Sequence, residues 1–293
     1  MIFDYWGEIL HGGNCMEIYE KELVSLYLSN MKLLEECISE IQKVQVFQHQ
    51  QLGKVLVIND EIHNVENWAP FYHEAITHIP MMFIKQPKTV LILGGGDLYA
   101  AKIVLEYPTI ERVVICDYDP NVICLTQKYY SHASKVIDDS RVQFIYKNAK
   151  QYISTCNEKY DLIIDDCFNL VDDFDDSDNI FEKLTHLLTK NIGVSCSLLY
   201  RHIFEQYVMQ TTKKRLFEKN NTVLSLVTVP EYPGILHLLA IWGESKYLSQ
   251  KMKESINIWH KECISQNIHC GTIFSPKYCD FYLYLPPYIK KLL

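Results

Sequence analysis

One stretch of the sequence constrains the fold more than any other. Residues 88–107 read KTVLILGGGDLYAAKIVLEY, which is an apolar run of strand length, a turn of three glycines and a segment with helical spacing. A short apolar run is typical of a buried strand, and a glycine-rich turn between a strand and a helix is typical of a βαβ unit. The stretch therefore predicts an α/β sheet.

The strand-to-helix order recurs further along the chain. IERVVICDYDPNVICLTQKYY (110–130) is a strand that ends in acids and leads into a helix, and strand-to-loop patterns follow in RVQFIYKNAKQYI (141–153), YDLIIDDCFNL (160–170) and TKNIGVSCSLLY (189–200). This alternation predicts a Rossmann-like domain with a mostly parallel sheet and right-handed connections. TVLSLVTVPEYPGILHLLAIWG (222–243) predicts two more strands on either side of a Pro/Gly turn.

The sequence before this domain has a different character. KVQVFQHQQLGKVLVIND (43–60) is rich in β-branched residues and is interrupted by turn signals at Gly53 and at Asn59-Asp60. Such breaks divide a β-rich segment into hairpins. We therefore expect a small antiparallel β domain at the N-terminus.

A helical segment marks the change between the two parts. FYHEAITHIPMMFI (71–84) has apolar residues at helical spacing and precedes the first strand of the α/β part. The sequence thus predicts an N-terminal β-hairpin domain over residues 1–70 and a Rossmann-like domain over residues 71–293.

The net charge of the chain limits the classes of partner that it can bind. There are 28 Lys and Arg residues against 36 Asp and Glu residues, which gives a net charge of −8, and there is no long basic run. Nucleic-acid binding normally needs a basic surface, so this partner class is disfavoured. The acidic stretch at 160–178 suits a cationic ligand by focusing the field, although a solvated surface would have the same composition.

The apolar runs, the N-terminus and the cysteines argue against a membrane protein, a secreted protein and a disulfide or metal site. VLVI at 55–58 and TVLIL at 89–93 are too short to cross a bilayer, and the N-terminus MIFDYWGEIL lacks the basic residues of a signal peptide. The ten cysteines have irregular spacing without a CxxC pair, which disfavours disulfides and a metal site. We expect a soluble cytoplasmic protein that binds no metal.

The candidate ligand-binding residues lie where the predicted parallel strands end, because ligands of open α/β sheets bind beyond the carboxyl ends of the strands. They are Gly94, Gly95, Gly96, Asp97, Asp117, Asp119, Asn148, Ala149, Asp165 and Asp166. A carboxylate about 20 residues after a glycine turn can accept both hydroxyls of a ribose. So many carboxylates would repel a pyrophosphate. The pattern favours an adenosine that carries a cation, such as the sulfonium of S-adenosylmethionine or of its decarboxylated form.

Five motifs, in order and at matching spacing, carry a resemblance to a known family. They are VFQHQQLGKVLVINDEIHNVENWAPFYHEAITHIP, VLILGGGDLYAA, VVICDYDP, YDLIIDDCFNL and TVPEYPGI. Over nearly its whole length the sequence resembles the spermidine synthase (aminopropyltransferase) family. The resemblance implies a Rossmann-like transferase fold, a homo-dimer or tetramer, and transfer of an alkyl group from the donor with release of methylthioadenosine.

The resemblance also implies roles for individual residues on the donor side. Gln48 would contact the ribose of the donor and Asp117 would hold its hydroxyls. Asp97 would bind the ammonium of the aminopropyl group. Asn148 takes the position of an aspartate that accepts a hydrogen bond from the adenine amino group, with Ala149 beside it.

On the acceptor side, Tyr72 and His73 match a pair that lines the pocket between donor and acceptor, and Tyr232 matches an acceptor-site tyrosine. In register, Asn169 stands where the family has the carboxylate that accepts the proton of the acceptor. Because an amide is no base at neutral pH, the missing function could pass to Asp166 or His73.

Other departures accompany Asn169. Leu98 and Tyr99 replace two glycines of the donor turn, and their bulk is expected to reshape the donor pocket. Five aspartates (Asp172, Asp173, Asp175, Asp176 and Asp178) fall where the family has a mobile loop, and they either guide a cationic acceptor or keep the loop solvated.

Three hypotheses of function remain open at this point. The first is transfer of an aminopropyl or 3-amino-3-carboxypropyl group to a non-standard small-molecule or peptide acceptor, as in the maturation of a nucleotide-peptide antibiotic. The second is a methyltransferase on the same scaffold. The third is a non-catalytic binding or regulatory homologue, which the retention of Gln48, Asp97 and Asp117 disfavours.

Overall fold

The fold was analysed in a computed structural model. It describes residues 16–20, 24–167, 180–200, 221–232, 237–248, 252–268, 271–275 and 279–291. The chain divides into two compact units, Met1–Trp68 with Pro230–Gly234, and Ala69–Val229 with Ile235–Leu293.

The first unit is antiparallel, as its hairpin pattern predicts. The strands are β1 (Met16–Glu20), β2 (Val24–Leu28), β3 (Lys32–Ile38), β4 (Lys43–His49), β5 (Gly53–Ile58) and β6 (Glu61–Val65). β1 pairs with β2, and the other four form a sheet in the order β3-β4-β5-β6. Asn59 and Asp60 both have positive φ, of 51° and 68°, which is the backbone of a type I′ turn between β5 and β6.

The second unit is built on a seven-stranded sheet. Its strands are β7 (Thr89–Gly94), β8 (Arg112–Asp117), β9 (Val142–Tyr146), β10 (Leu162–Asp166), β11 (Val194–Tyr200), β12 (Asn221–Val227) and β13 (His237–Gly243). The order is β12-β13-β11-β10-β7-β8-β9. The five strands from β7 to β11 pair in parallel, whereas β13 and β12 add antiparallel strands at one edge. This architecture confirms the predicted mostly parallel sheet.

The order of the strands reverses at β7. β8 and β9 extend the sheet on one side of β7, and β10 and β11 extend it on the other. In doubly wound sheets such a reversal opens a crevice at the carboxyl ends of the strands, where ligands bind. The fold therefore directs attention to the ends of β7 and β10.

Helices cover both faces of this sheet. They are α1 (Ala69–Met81), α2 (Tyr99–Val104), α3 (Pro120–Tyr129), α4 (Ala133–Ile137), α5 (Ala149–Thr155), α6 (Ile180–His186), a 3-10 turn (Lys246–Leu248), and the helices Met252–Ser265, Cys279–Tyr282 and Pro287–Lys290. Within the described residues, no helix combines the length and the apolarity that crossing a bilayer requires.

Side chains of the central strands alternate between two apolar layers, as they must in a pleated strand. Ile92 and Ile164 belong to the layer that includes residues of α1 to α4. Leu91 and Ile163 belong to the layer that includes residues of α5 and α6. The last residue of each strand emerges from one of these layers into the crevice, and this alternation decides which polar side chains meet.

Candidate active site

The glycine turn after β7 lets two strand ends approach each other closely. Gly94 and Gly95 have φ values of +77° and +74°, which side chains rarely tolerate. A Cβ on Gly94 would lie 2.8 Å from the Cβ of Cys167 and 3.0 Å from the carbonyl oxygen of Asp166. A Cβ on Gly96 would lie 2.8 Å from a carboxylate oxygen of Asp117. Glycine is thus required where β7 passes the ends of β10 and β8.

Leu98 and Tyr99, which the resemblance places where the family has glycines, differ in where their side chains point. Leu98 has a φ of 62° and a fully buried side chain within the layer of α1 to α4, so its bulk lies in the core. The ring of Tyr99 lies 5.2 Å from that of His73 and 5.1 Å from that of His132. Only Tyr99 adds bulk beside the polar groups of the turn.

His73 and Asp97 form a buried ion pair. His73 Nε2 lies 3.0 Å from Asp97 Oδ2, and His73 Nδ1 lies 2.9 Å from the carbonyl oxygen of Ala69. Both partners can only accept, so both ring nitrogens carry hydrogen and the ring is an imidazolium. Burial works against this charge, but the Asp97 carboxylate outweighs it and raises the pKa of His73 to about 9. Asp97 also accepts from the amide N–H of Tyr99, at 2.9 Å.

Asp166 ends β10 beside this pair and faces α1. The hydroxyl of Tyr72 donates to Asp166 Oδ1 at 2.8 Å. Burial raises the pKa of Asp166 to about 7; the His73 charge and the Tyr72 hydrogen bond oppose the rise, and Asp97 adds to it. Burial and the Asp166 carboxylate raise the pKa of Tyr72 well above its usual value, so the phenol stays protonated. Asp166 can therefore exchange a proton near neutral pH, which is what a general base requires.

The same three side chains define the kind of cation that suits the crevice. One ring nitrogen of His73 and one carboxylate oxygen each of Asp97 and Asp166 lie within 4.8 Å of one another, a spacing that could hold a metal ion. An imidazolium, however, has no lone pair to offer a metal. The arrangement suits an organic ammonium or sulfonium better, because such a cation needs only carboxylate oxygens around it.

Asp117 and Asp119 follow β8 but have different surroundings. Asp117 is partly buried, and its Oδ1 accepts from the amide of Asp119 at 3.0 Å; burial raises its pKa. Asp119 is 0 % exposed and caps α3, because its Oδ1 accepts from both the amide and the side chain of Asn121 at 2.9 Å. Asp117 is thus the carboxylate that the crevice can use, and Asp119 serves the helix.

Asn148 also caps a helix. Its Oδ1 accepts from the amides of Lys150 at 3.0 Å and Gln151 at 3.4 Å, at the start of α5. Ala149 is the first residue of that helix and is 9 % exposed. The oxygen expected to face an adenine amino group is already engaged, so that predicted contact stays a prediction.

A comparison with known proteins assigns the chain to a family. The spermine/spermidine synthase domain matches residues 69–254, and a polyamine aminopropyltransferase of Archaeoglobus fulgidus is 31 % identical over 210 residues, 70 % of this chain and 74 % of that enzyme. The chain belongs to the spermine/spermidine synthase family. The predicted resemblance is confirmed.

Other members of the family match a larger part of the chain. A polyamine aminopropyltransferase of Buchnera aphidicola is 28 % identical over 259 residues, 80 % of this chain and 86 % of that enzyme. The crystal structure of spermidine synthase from Thermotoga maritima covers 97 % of this chain with a TM-score of 0.82 and 22 % identity. A spermidine synthase structure in complex with the transition-state analogue AdoDATO matches equally well. The fold and the aminopropyltransferase class of the family are thereby confirmed.

Several predicted site residues cannot be assigned to this crevice from the residues that the structure describes in the second unit. Gln48 and Tyr232 belong to the first unit, where the Gln48 amide donates to the carbonyl oxygens of His49 and Gly53. Asn169 and the five aspartates that follow it lie outside the described residues. The roles expected for these residues remain predictions.

The structure also reveals polar residues that sequence reasoning missed. His132 contacts the carbonyl oxygen of Asp97 through Nε2 at 2.8 Å, and Ser197 donates to Asp165 at 2.7 Å. A lone histidine in a loop and a serine within an apolar strand give no signal in one sequence. Only the Asp165-Asp166 doublet indicated that β10 ends in an unusual way.

Proposed function

We propose that this protein transfers an aminopropyl or a 3-amino-3-carboxypropyl group from a decarboxylated or intact S-adenosylmethionine donor to a non-standard acceptor, with release of methylthioadenosine. Its membership of the spermine/spermidine synthase family and its aminopropyltransferase relatives support the reaction class. The departure at Asn169 supports an acceptor other than the usual polyamine precursor.

The observation that carries the proposal is the Asp166 carboxylate beneath the Tyr72 hydroxyl. The reaction needs a group that removes a proton from an amine-type nucleophile, since such amines have pKa values near about 10 and arrive protonated. Asp166 has a pKa of about 7 and lies at the switch point of the sheet. Asn169 cannot supply this function, so we assign it to Asp166.

The other residues of the crevice bind and orient the donor. Asp117 would accept the ribose hydroxyls where the turn at Gly96 passes it, and Asp97 would face the ammonium of the transferred chain. The His73 imidazolium beside Asp97 offsets part of the negative charge that a donor carboxylate would meet, so the pocket is compatible with either form of the donor.

The chemical step uses the donor's own reactivity. When bound, the donor supplies a methylene that is activated by the adjacent sulfonium. The chain holds donor and acceptor in line and excludes water, which is worth several kcal/mol of the barrier. Asp166 removes the proton from the nucleophile, and Tyr72 steadies the carboxylate by its hydrogen bond.

The acceptor is a small molecule or a peptide with a nucleophilic amine, as in specialised metabolite or nucleotide-peptide antibiotic maturation. A nucleophile of lowered pKa would suit a base near neutrality. The acidic segment after Asn169 favours a cationic acceptor, and we expect a cytoplasmic homo-dimer or tetramer, as the family resemblance implies.

A donor assay tests the proposal directly. The protein is incubated with each donor separately and with a panel of amines and amine-bearing peptides, and methylthioadenosine and S-adenosylhomocysteine are quantified. We expect the wild-type protein to release methylthioadenosine and Asp166→Asn to release little or none. Release of S-adenosylhomocysteine would instead establish a methyltransferase, and neither product with any acceptor would favour a binding role.

A further inference from the structure

Asp165 and Asp166 are neighbours in sequence but serve opposite faces of the sheet. Asp166 lies on the same face of β10 as Ile164, which packs in the layer that contains α1, and it accepts a hydrogen bond from Tyr72 there. Asp165 lies on the same face as Ile163, which packs in the layer that contains α5 and α6. Because side chains alternate along a strand, the second carboxylate is hidden behind the crevice.

Asp165 is held from two sides on that hidden face. Its side chain is 1 % exposed, and Ser197, its register partner on β11, donates from Oγ to Asp165 Oδ2 at 2.7 Å. Asp165 Oδ1 accepts from the amide of Cys167 at 3.3 Å and lies 3.7 Å from the Cys167 thiol. The carboxylate therefore links β11 to the residue that follows Asp166.

Stability does not explain a carboxylate at this position. A buried carboxylate loses its hydration, and an apolar side chain of similar volume usually serves a core at least as well. The contact from Asp165 Oδ1 to the amide two residues later is the geometry of an Asx turn. Asp166 is the residue enclosed by that turn, so the link fixes its backbone.

We propose that Asp165 is a positioning residue for the reaction: together with Ser197 it fixes the turn at Asp166 and Cys167 from the far face of the sheet, and so holds the Asp166 carboxylate against Tyr72. The proposal rests on the proposed function in one respect, which is the assignment of Asp166 as the base. Asp165 itself touches neither donor nor acceptor.

Asp165 also acts on Asp166 through its charge. Within the described part of the chain, the titratable groups that interact with Asp166 are Tyr72 and His73 from α1, Asp97 after β7, and its chain neighbours Asp165 and Cys167. Asp165 adds to the rise in the pKa of Asp166 because two adjacent carboxylates disfavour a second negative charge. Position and charge are separable, since an amide keeps the turn and loses the charge.

Two substitutions make that separation. Asp165→Asn keeps an oxygen for the Cys167 amide; we expect kcat within about threefold of wild type and an acid limb of the pH profile that moves to lower pH. Asp165→Val removes the turn contact and the charge; we expect kcat to fall at least about tenfold with the affinity for methylthioadenosine unchanged. Asp165→Ala has the same purpose if the valine variant does not fold.

A titration without turnover keeps this test independent of the proposed function. The pKa of Asp166 is followed by NMR with isotope-labelled aspartate, its signal being assigned by loss in Asp166→Asn. In wild type and in Asp165→Asn, Tyr72→Phe should raise that pKa because a hydrogen bond to the charged form is lost. In Asp165→Val, Tyr72→Phe should change nothing, since the two groups are no longer held together.

The results of these experiments distinguish failure of the positioning role from failure of the proposed function. An equal effect of Tyr72→Phe in the wild-type and Asp165→Val backgrounds would overturn the positioning role, as would an unchanged kcat in Asp165→Val. Absence of methylthioadenosine from wild type would reject the proposed function, while the titration would still decide whether Asp165 holds Asp166 in place.

Discussion

The hydrogen bond from Tyr72 to Asp166 should set the pH range in which the protein works. Tyr72→Phe removes one hydroxyl from α1 and leaves the ring in place. The hydroxyl stabilises only the ionised carboxylate, so its loss should raise the pKa of Asp166 above the value of about 7 that it has now. The base would then be protonated over most of the neutral range.

The magnitude follows from the strength of a hydrogen bond to a charged acceptor. Such bonds contribute about 1.5–3 kcal/mol, and one pKa unit corresponds to about 1.4 kcal/mol. Tyr72→Phe should therefore raise the pKa of Asp166 by about one to two units. At pH 7 the ionised fraction would fall from about one half to about 1–10 %, and kcat/KM would fall about five- to fiftyfold.

The measurement is kcat/KM for methylthioadenosine release from about pH 5.5 to about pH 9.5. The variant should recover most of its activity at high pH, because Asp166 ionises there. Tyr284→Phe, at an exposed tyrosine, is the matched control and should leave the profile unchanged. A uniform loss of activity without a shifted acid limb would refute the reasoning, since Tyr72 would then act on the substrate and not on Asp166.

Three further predictions concern stability. Asp97 raises the pKa of His73 from 6.5 to about 9, so the pair contributes stability that is complete below about pH 6.5 and is lost as the pH rises through about 9. The free energy of urea unfolding should therefore fall by up to about 3 kcal/mol over this pH range in the wild type but not in His73→Gln. The same pH dependence of the unfolding free energy in both proteins would contradict this prediction. Leu98→Gly and Leu98→Ala should both destabilise by about 2–5 kcal/mol because a buried side chain is lost, but the glycine variant should be about 1 kcal/mol the more stable at this positive φ. The reverse order in thermal melts would show that the backbone is unstrained. Gly271→Ala should cost about 1–3 kcal/mol, because Gly271 has a φ of +95° and its added Cβ would clash with the Glu74 carboxylate. A melting temperature equal to that of the wild type would contradict this packing.

Local pattern predicted most of the fold. Apolar runs, glycine turns and helical spacing are properties of neighbouring residues, so strands such as β7 and helices such as α1 follow from them. The segment Pro230–Gly234 shows the limit, because it joins the first unit although it follows the parallel strands in sequence. Its contact there, from the amide of Val65 to Glu231 at 3.3 Å, links residues far apart in the chain and leaves no local signal.

The candidate site was predictable to a similar extent. Carboxyl ends of parallel strands meet at one edge, which is why Asp97, Asp117 and Asp166 could be named together from the sequence. The ion pair of Asp97 with His73 could not, because it depends on how α1 is rotated against the sheet. The helix cap at Asp119 does have a local signal, since an aspartate directly before a proline is a typical helix cap.

The ion pair and the doublet also show why one sequence gives residue types but not protonation states. The imidazolium of His73 follows from two acceptors at 2.9 and 3.0 Å, neither of which is adjacent to it in sequence. Likewise, the near-neutral pKa of Asp166 arises from loss of hydration where the end of β10 meets Tyr72 and His73 of α1. Both are consequences of tertiary packing.

The composition of β10 has a consequence for how the chain finds its strand register. LIIDD is nearly unchanged by a slip of one residue, because Ile163 and Ile164 would exchange layers and the two aspartates would exchange faces. The side chains of the strand therefore do little to reject the slipped pairing. What rejects it lies at the strand's two ends. The Asp161 carboxylate accepts from the amides of Lys88 and Thr89 at the start of β7, at 2.8 and 3.1 Å, and Gly94 passes so close to Cys167 that a Cβ at position 94 would lie 2.8 Å from the Cys167 Cβ. The register that places Asp166, and not Asp165, in the crevice is thus fixed by contacts outside the five residues of β10.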